Sequence, residues 1–219
     1  MKIVVVSGGF DPIHSGHIAY FKSAKSHGNK LIVALNSDAW LEKKKGKFFM
    51  PFDERKAIVE SIKFVDQVIG FKDDTKGSCI NALEEIKKLH PNDDIYFANG
   101  GDRTAENIPE MTVPNVLFKF SVGGENKMNS SSWILREWKH PKTLREWGYY
   151  RILHDVPGCK VKELTVEPGK RLSMQRHFMR HEFWHVAEGK CVLDMKLPSG
   201  YSLPPMDLVT HSQIQIPQG

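Results

Sequence analysis

Two histidines three residues apart, in a glycine-rich stretch near the amino terminus, are the residues best suited to chemistry. The stretch reads Ser7-Gly8-Gly9-Phe10-Asp11-Pro12-Ile13-His14-Ser15-Gly16-His17. Gly8 and Gly9 permit unusual backbone angles and close approach of a ligand to the main chain. A helix beginning near Ser15 would direct unpaired N–H groups toward the same place. Both imidazoles can then face one phosphate at the positive end of the helix dipole, so the sequence predicts an anion site.

The segments around this stretch predict the elements that position it. A β-branched run over 2–6 is typical of a buried parallel strand, and 18–24 favours a helix. Further strands are predicted over 30–36, 65–71, 94–99 and 115–121, with helices over 50–62 and 78–89 between them. Strands that alternate with helices predict a doubly wound, Rossmann-like parallel sheet of five strands over residues 1–138.

A run of lysines follows the second predicted strand. Lys43, Lys44, Lys45 and Lys47 lie in a segment, 41–47, that we predict as a loop. On composition alone such a run indicates a solvated loop. The helix after it is predicted to bury one face, formed by Phe52, Ile58, Val59 and Ile62.

The string GGFDPIHSGH resembles the GxFDxxHxGH signature of the cytidylyltransferase-like nucleotidyltransferases. Its relatives include glycerol-3-phosphate cytidylyltransferase and the adenylyltransferase that activates a heptose 1-phosphate. The resemblance implies an enzyme that transfers a nucleoside monophosphate from CTP or ATP to a sugar phosphate or polyol phosphate. The resemblance further implies that pyrophosphate is released and that Mg²⁺ is the cofactor. The choice between CTP and ATP stays open, since residues 123–129 depart from the family pattern.

The resemblance also implies roles for individual residues. His14 and His17 would stabilise the α-phosphate, and Lys45, Lys47 and Arg55 would neutralise the outer phosphates; Lys44 is an alternative within the lysine run. The implied nucleotide-binding residues are Gly8, Gly9, Phe10, Asp11, Gly16, Asp102, Ser130, Ser131 and Ser132. On local pattern alone Asp102 is equally compatible with a polar turn, and the serines with ordinary helix capping.

Residues 139–219 show short alternating segments with Pro-Gly turns, which predict a smaller all-β domain. Gly169, Gln175, His177, Glu182 and Gly189 match the first cupin motif, with glutamine in place of its first histidine. The segment resembles the cupin domain of type II mannose-6-phosphate isomerases.

This second resemblance implies that Gln175, His177 and Glu182 hold Zn²⁺ or another divalent ion. The sequence stops where the second cupin motif would begin, so we expect the cupin to be incomplete at its carboxyl terminus, with His211 as a conceivable substitute ligand. A metal-dependent sugar-phosphate isomerase and a non-catalytic sugar-nucleotide binding protein stay open as alternative functions.

Composition narrows the classes of partner. The formal charge of +5 and the pI near 9.0 are moderate, and the basic residues are spread out, which favours small polyanions over nucleic acid. Three separated cysteines without a CxxC pair favour a reducing compartment. No apolar run is long enough for a leader or a membrane span, so we expect a cytoplasmic protein with no membrane partner. Both resembled families commonly form homodimers, and we expect one here.

Overall fold

The computed structural model describes residues 1–101, 103–124 and 129–218. The chain divides into two compact units, one formed by Met1–Lys142 with Arg151–Val161 and the other by Thr143–Tyr150 with Lys162–Gly219. The boundary predicted after residue 138 lies inside the first continuous segment. Among the helices that the structure describes, none has the length and apolar character needed to cross a membrane.

Within Met1–Lys142, the described residues form five strands, five α-helices and a short 3₁₀ helix over Pro109–Thr112. The strands are β1 (Lys2–Gly8), β2 (Lys30–Leu35), β3 (Gln67–Gly70), β4 (Asp94–Ala98) and β5 (Leu117–Lys119). The helices are α1 (Ser15–Lys25), α2 (Asp38–Lys45), α3 (Phe52–Glu60), α4 (Ile80–Leu89) and α5 (Ser131–Lys139).

The five strands form one parallel sheet in the order β3-β2-β1-β4-β5, which confirms the predicted fold class. Side chains alternate between two apolar clusters. Ile3 and Val5 face the cluster that contains Leu83 of α4, while Val4 and Val6 face the one that contains Phe21 of α1. Because β1 has β2 on one side and β4 on the other, the strand order reverses at its carboxyl end. Open α/β sheets bind ligands at this position.

Residues 41–45, with three of the four lysines, are helical, so the prediction of a loop over 41–47 was wrong for this part. Helix α2 begins after Ser37, whose hydroxyl accepts a hydrogen bond from Trp40 N at 3.0 Å. It ends at Gly46, which has a left-handed φ of +85°. Cations in the last turn suit the negative end of the helix dipole, and Leu41 anchors the helix with a buried side chain. Helix α3 buries Val59 as predicted but leaves Ile58 exposed.

After Lys142 the chain forms short strands in small sheets, and Arg151–Val161, within this part, belongs to the first unit. The strands run in chain order as β6 (Thr143–Arg145), β7 (Gly148–Val156), β8 (Cys159–Val166), β9 (Glu182–His185), β10 (Lys190–Leu193), β11 (Met206–Val209) and β12 (Gln213–Ile216). Strands β6, β7 and β8 form one sheet, and β9 with β12 and β10 with β11 form antiparallel pairs. Between Arg171 and Gly189, the segment Glu182–His185 is the part that forms a strand.

Candidate active site

A tight turn follows β1, and its two glycines are required by packing. A Cβ atom on Gly8 would lie 2.9 Å from the ring of Phe10, and one on Gly9 would lie 2.6 Å from Leu41 Cδ2. Neither glycine has a left-handed φ; that conformation falls on Phe10, at φ +46°. The peptide between Asp11 and Pro12 is cis. The glycines therefore let the Phe10 ring and helix α2 close tightly around the turn.

The two histidines of the motif lie against each other at the start of α1. Their ring centroids are 3.7 Å apart with an interplanar angle of 22°, so the two rings are stacked. The ring of Phe10 is perpendicular to that of His17, with the two ring centroids 5.0 Å apart. The His14 carbonyl accepts hydrogen bonds from the backbone N–H groups of His17 and Ile18. A Cβ on Gly16 would lie 3.0 Å from His14 Cε1, so glycine at this position admits the His14 ring.

His17 is neutral at physiological pH. Burial, with smaller contributions from His14 and Lys45, lowers the pKa of its imidazole from 6.5 to about 3. Its Nδ1 atom is buried and has no hydrogen-bond partner among the described residues, and the side chain lines a cavity at the end of β1. A buried ring nitrogen without a partner is suited to a hydrogen bond with a ligand.

The cavity has cationic groups on two sides. Lys44 and Lys45 of α2 and Arg103, beyond β4, all line it. Lys45 Nζ donates to the Asp11 carbonyl at 2.9 Å, and burial lowers the pKa of this lysine. Lys44 Nζ lies 4.4 Å from the centroid of the Trp40 ring. Lys47 is exposed beyond the end of the helix and does not line the cavity, so of the lysines Lys44 and Lys45 are the better candidates for phosphate contacts.

Arg55 lies behind the cavity and not in its lining. Its side chain is fully buried, and the guanidinium donates to Gly9 O at 2.8 Å, Asn36 O at 2.9 Å and Met50 O at 3.0 Å. It also forms an ion pair with Asp38 Oδ1 at 2.5 Å. With these donors engaged, the geometry supports a positioning role for Arg55 in place of the direct phosphate contact expected from the sequence.

Two aspartates fix the segment between α2 and α3. The Asp11 carboxylate is buried and accepts hydrogen bonds from Phe49 N at 2.7 Å and Met50 N at 2.8 Å. Asp38 Oδ2 accepts from Phe52 N at 3.0 Å. Both carboxylates are therefore occupied by backbone amides, so Asp11 supports the site through the loop it holds.

The predicted serine cluster forms the beginning of α5. Ser130 caps the helix, accepting from Trp133 N at 3.4 Å, and Ser132 is exposed. Ser131 lines the cavity, and its hydroxyl donates to Pro12 O at 2.8 Å, which ties this helix end to the glycine turn. Ser131 is the member of the cluster that the structure brings into the site. Asp102, the remaining predicted binding residue, lies outside the described residues.

The metal site predicted in the second unit is not assembled. Gln175 is exposed and donates to Ser173 Oγ at 3.3 Å. Glu182 Oε1 lies 2.8 Å from Arg180 Nε and 3.1 Å from His177 Nε2, while Oε2 accepts from Trp184 Nε1 at 3.0 Å.

Burial acts to raise the pKa of the Glu182 carboxyl, but the hydrogen bonds from Trp184 and Arg180 and the charge of His177 outweigh it and leave the pKa below its usual range. A guanidinium already occupies the place of a metal, so these residues do not fit Zn²⁺. His211 lies near His185, with ring centroids 6.0 Å apart, and not with the predicted ligands.

Sequence reasoning missed several residues that line the cavity. Asn36, Trp40, Cys79 and Glu110 all contribute to it. Asn36 and Trp40 follow a strand end, which is a usable signal for this fold. Cys79 lies at the start of the helix predicted over 78–89, and Glu110 lies outside any predicted element. Neither belongs to a motif, so nothing in the sequence marks them as site residues.

A glycine turn, a helix start and cations that converge where the strand order reverses define an α/β protein of the nucleotide-binding class. Residues 5–137 match the sequence model of the cytidylyltransferase-like family. The chain belongs to this family. Residues 135–197 match the model of the mannose-6-phosphate isomerase C-terminal region, which confirms the second resemblance.

Curated relatives match the first part of the chain. The bifunctional protein HldE of Erwinia tasmaniensis is 32% identical over 137 residues, which cover 58% of this chain and 29% of that protein. HldE of Enterobacter sp. is 38% identical over 131 residues, covering 54% of this chain and 27% of the relative. The chain thus spans less than a third of the length of these relatives.

Solved structures that match part of the chain include the lipopolysaccharide core biosynthesis protein from Thermoplasma volcanium. It has a TM-score of 0.43 and 27% identity, covering 55% of this chain and 93% of that one. A bifunctional NMN adenylyltransferase/ADP ribose pyrophosphatase from Francisella tularensis has a TM-score of 0.48 and 18% identity, with 63% and 42% covered.

The first prediction concerns Arg55. Lysine keeps the charge in Arg55→Lys but cannot serve three carbonyls and a carboxylate at once. We expect the free energy of unfolding to fall by about 2–4 kcal/mol, since buried acceptors lose their donors. Urea denaturation measures this, and Lys56→Gln, which removes a surface cation from the same helix, should change stability by less than about 0.5 kcal/mol. Full stability with lost activity in Arg55→Lys would instead place the guanidinium on the substrate.

The second prediction concerns the pH dependence of stability. The pKa of His17 is about 3 in the folded chain and 6.5 in the unfolded chain. Between pH 3 and pH 6.5, therefore, the unfolded chain binds a proton at His17 and the folded chain does not. The contribution of the neutral imidazole is therefore complete above pH 6.5 and is lost as pH falls toward 3. Between pH 7 and pH 4.5, we expect the stability of the wild type to fall by about 2–3 kcal/mol more than that of His17→Asn. His27→Asn, at an exposed histidine, should follow the wild type; parallel losses in all three proteins would show that His17 titrates normally.

Proposed function

We propose that the protein transfers a nucleoside monophosphate from ATP or CTP to a sugar phosphate or polyol phosphate and releases pyrophosphate. The observation that carries the proposal is the cavity at the end of β1. There the glycine turn, neutral His17 with a partnerless Nδ1, and the cations Lys44, Lys45 and Arg103 face one space. Ser131, the first residue of helix α5, also lines this cavity and donates a hydrogen bond to Pro12 O.

In the proposed reaction an oxygen of the acceptor phosphate attacks the α-phosphorus. A new P–O bond forms there, the bond between the α-phosphorus and the bridging oxygen to the β-phosphate breaks, and pyrophosphate leaves. Two anions must approach each other, so positioning and fixed positive charge supply most of the catalysis. We assign the α-phosphate to His14 and His17, and the outer phosphates to Lys45 with Lys44.

The transfer is proposed to be direct, without a covalent enzyme intermediate. The thiol that lines the cavity belongs to Cys79, and burial followed by the charge of Glu110 raises its pKa far above the usual range. A thiol that stays protonated is a poor nucleophile. The acceptor phosphate, which is already an anion, needs no activation by the protein.

Mg²⁺ would enter with the nucleotide. This ion is held in such sites chiefly by phosphate oxygens and water, with one or two carboxylates at most. Each oxygen of Asp11, the carboxylate nearest the glycine turn in sequence, already accepts a backbone amide. When bound, Mg²⁺ would supply positive charge to the leaving pyrophosphate, and Lys45 would add to it from the protein side.

The second unit supports the choice of acceptor. Its match to a mannose-6-phosphate isomerase region joins a sugar-phosphate family to the nucleotidyltransferase in one chain. Sugar phosphates are therefore the first acceptors to examine, with polyol phosphates beside them. The expected homodimer stays a prediction.

The third prediction tests this function by measuring pyrophosphate release with Mg²⁺. ATP and CTP are each combined with glycerol 3-phosphate, mannose 1-phosphate and further sugar phosphates. We expect release that requires one nucleotide and one acceptor, and a fall in kcat of about 10²–10³-fold in His17→Asn, as for loss of a group that stabilises the reacting phosphate. His27→Asn should match the wild type. Acceptor-independent release, or an active His17→Asn, would contradict the assignment.

A further inference from the structure

A second carboxylate lies in the wall of the cavity and has no role in the reaction as described so far. Glu110 belongs to the 3₁₀ helix over Pro109–Thr112, between β4 and β5. Only 3% of the residue is exposed, yet it lines the same cavity as the glycine turn.

The two oxygens of this carboxylate differ. Oε1 accepts a hydrogen bond from Cys79 N at 2.9 Å and lies 3.4 Å from Cys79 Sγ. Within the described residues, the buried Oε2 atom has no hydrogen-bond partner and no cation forms an ion pair with Glu110. A buried carboxylate oxygen without a donor is costly. It is therefore suited to accept a hydrogen bond from a bound molecule.

The charge of Glu110 restricts what that molecule presents to it. Phosphate groups are repelled by a carboxylate, and Lys44, Lys45 and Arg103 offer them a better place in the same cavity. The part of the ligand that reaches Glu110 must carry hydrogen-bond donors. Hydroxyl groups of a sugar or polyol and the amino group of a nucleobase both meet this requirement.

The aromatic rings of the cavity favour the hydroxyl groups. A nucleobase is normally held by stacking on an open ring face. Phe10 is 6% exposed and is in edge contact with His17 and Phe21. The ammonium of Lys44 covers the Trp40 ring, and Trp40 Nε1 is bound to Gly77 O at 2.9 Å. Both rings are engaged, which leaves the space beside Glu110 to a small hydroxylated group.

We propose that Glu110 is a specificity-determining residue that accepts hydrogen bonds from hydroxyl groups of the phosphorylated sugar or polyol acceptor. This inference rests on the proposed function and identifies which end of the acceptor the cavity recognises. The acceptor phosphate lies toward the cations and its hydroxyl groups lie toward Glu110.

The fourth prediction tests this with Glu110→Gln, which keeps the size of the side chain and the oxygen that faces Cys79 N. We expect the KM for the best acceptor to rise about 10–100-fold, the effect of losing a hydrogen bond to a charged group. The KM for the nucleotide and the Mg²⁺ concentration at half-maximal rate should stay within about twofold. Glu106→Gln, an exposed carboxylate on the same connection, is the matched control and should leave all three values unchanged.

Different acceptors are then compared with the wild-type protein, so this part of the test does not depend on how the variant folds. Analogues of glycerol 3-phosphate and mannose 1-phosphate that each lack one hydroxyl group are compared with the parent compounds. At least one deletion should cost the wild type the same factor as Glu110→Gln, and the variant should no longer distinguish that pair. No difference between any parent and analogue in the wild type would overturn the inference.

Other outcomes separate the possible failures. A rise in nucleotide KM would assign Glu110 to the base, and a higher Mg²⁺ requirement would assign it to the metal; either result overturns the inference. An active wild type with an equally active Glu110→Gln refutes it while the proposed function stands. Should the wild type release no pyrophosphate with any pair, the proposed function fails, and calorimetric binding of the same acceptors to both proteins decides the role of Glu110. Weaker binding by the variant supports the role, and equal binding refutes it.

Discussion

The buried guanidinium of Arg55 is the group on which the geometry of the site depends. It joins the glycine turn through Gly9 O, the end of β2 through Asn36 O, and the loop before α3 through Met50 O. Asp38 compensates its charge at 2.5 Å. A buried arginine is tolerated only when its charge is paired and its donors are used, so the three segments must take up their positions together. The cavity forms in front of this cluster.

The hydrogen-bond partners of the polar side chains distinguish the residues that hold the site from those that we assign to ligands. The carboxylates of Asp11 and Asp38 accept hydrogen bonds from backbone amides, and Asp38 also forms an ion pair with Arg55. His17 and Glu110 each have a buried polar atom with no hydrogen-bond partner among the described residues, and both line the cavity. Asp11 and Asp38 thus hold the site, whereas His17 and Glu110 each have an atom available to a ligand. The imidazole of His17 can therefore contact phosphate while it stays neutral near pH 7.

Much of the fold followed from the sequence because its physical signals are strong. β-branched runs alternating with helices indicated the parallel sheet, and the glycine-rich stretch between the first predicted strand and helix placed the turn at the end of β1. Residues 41–45 were wrongly predicted as a loop, since composition outweighed the capping signals of Ser37 and Gly46. Arg55 was expected to face phosphate because the family resemblance implied it, and the local sequence gave no sign of its burial. Glu110 was missed because its role arises only when β4 and β5 bring its connection beside Cys79, a contact between residues far apart in the chain.

Direct transfer between two phosphates is the central claim, and the stereochemical course at the α-phosphorus tests it most directly. The nucleotide is supplied as a single diastereomer of its α-thiotriphosphate, and the configuration of the sugar or polyol product is determined by ³¹P NMR. One in-line displacement inverts the configuration, and inversion is the result that this account predicts. Retention would require two displacements through a covalent enzyme intermediate and would contradict it.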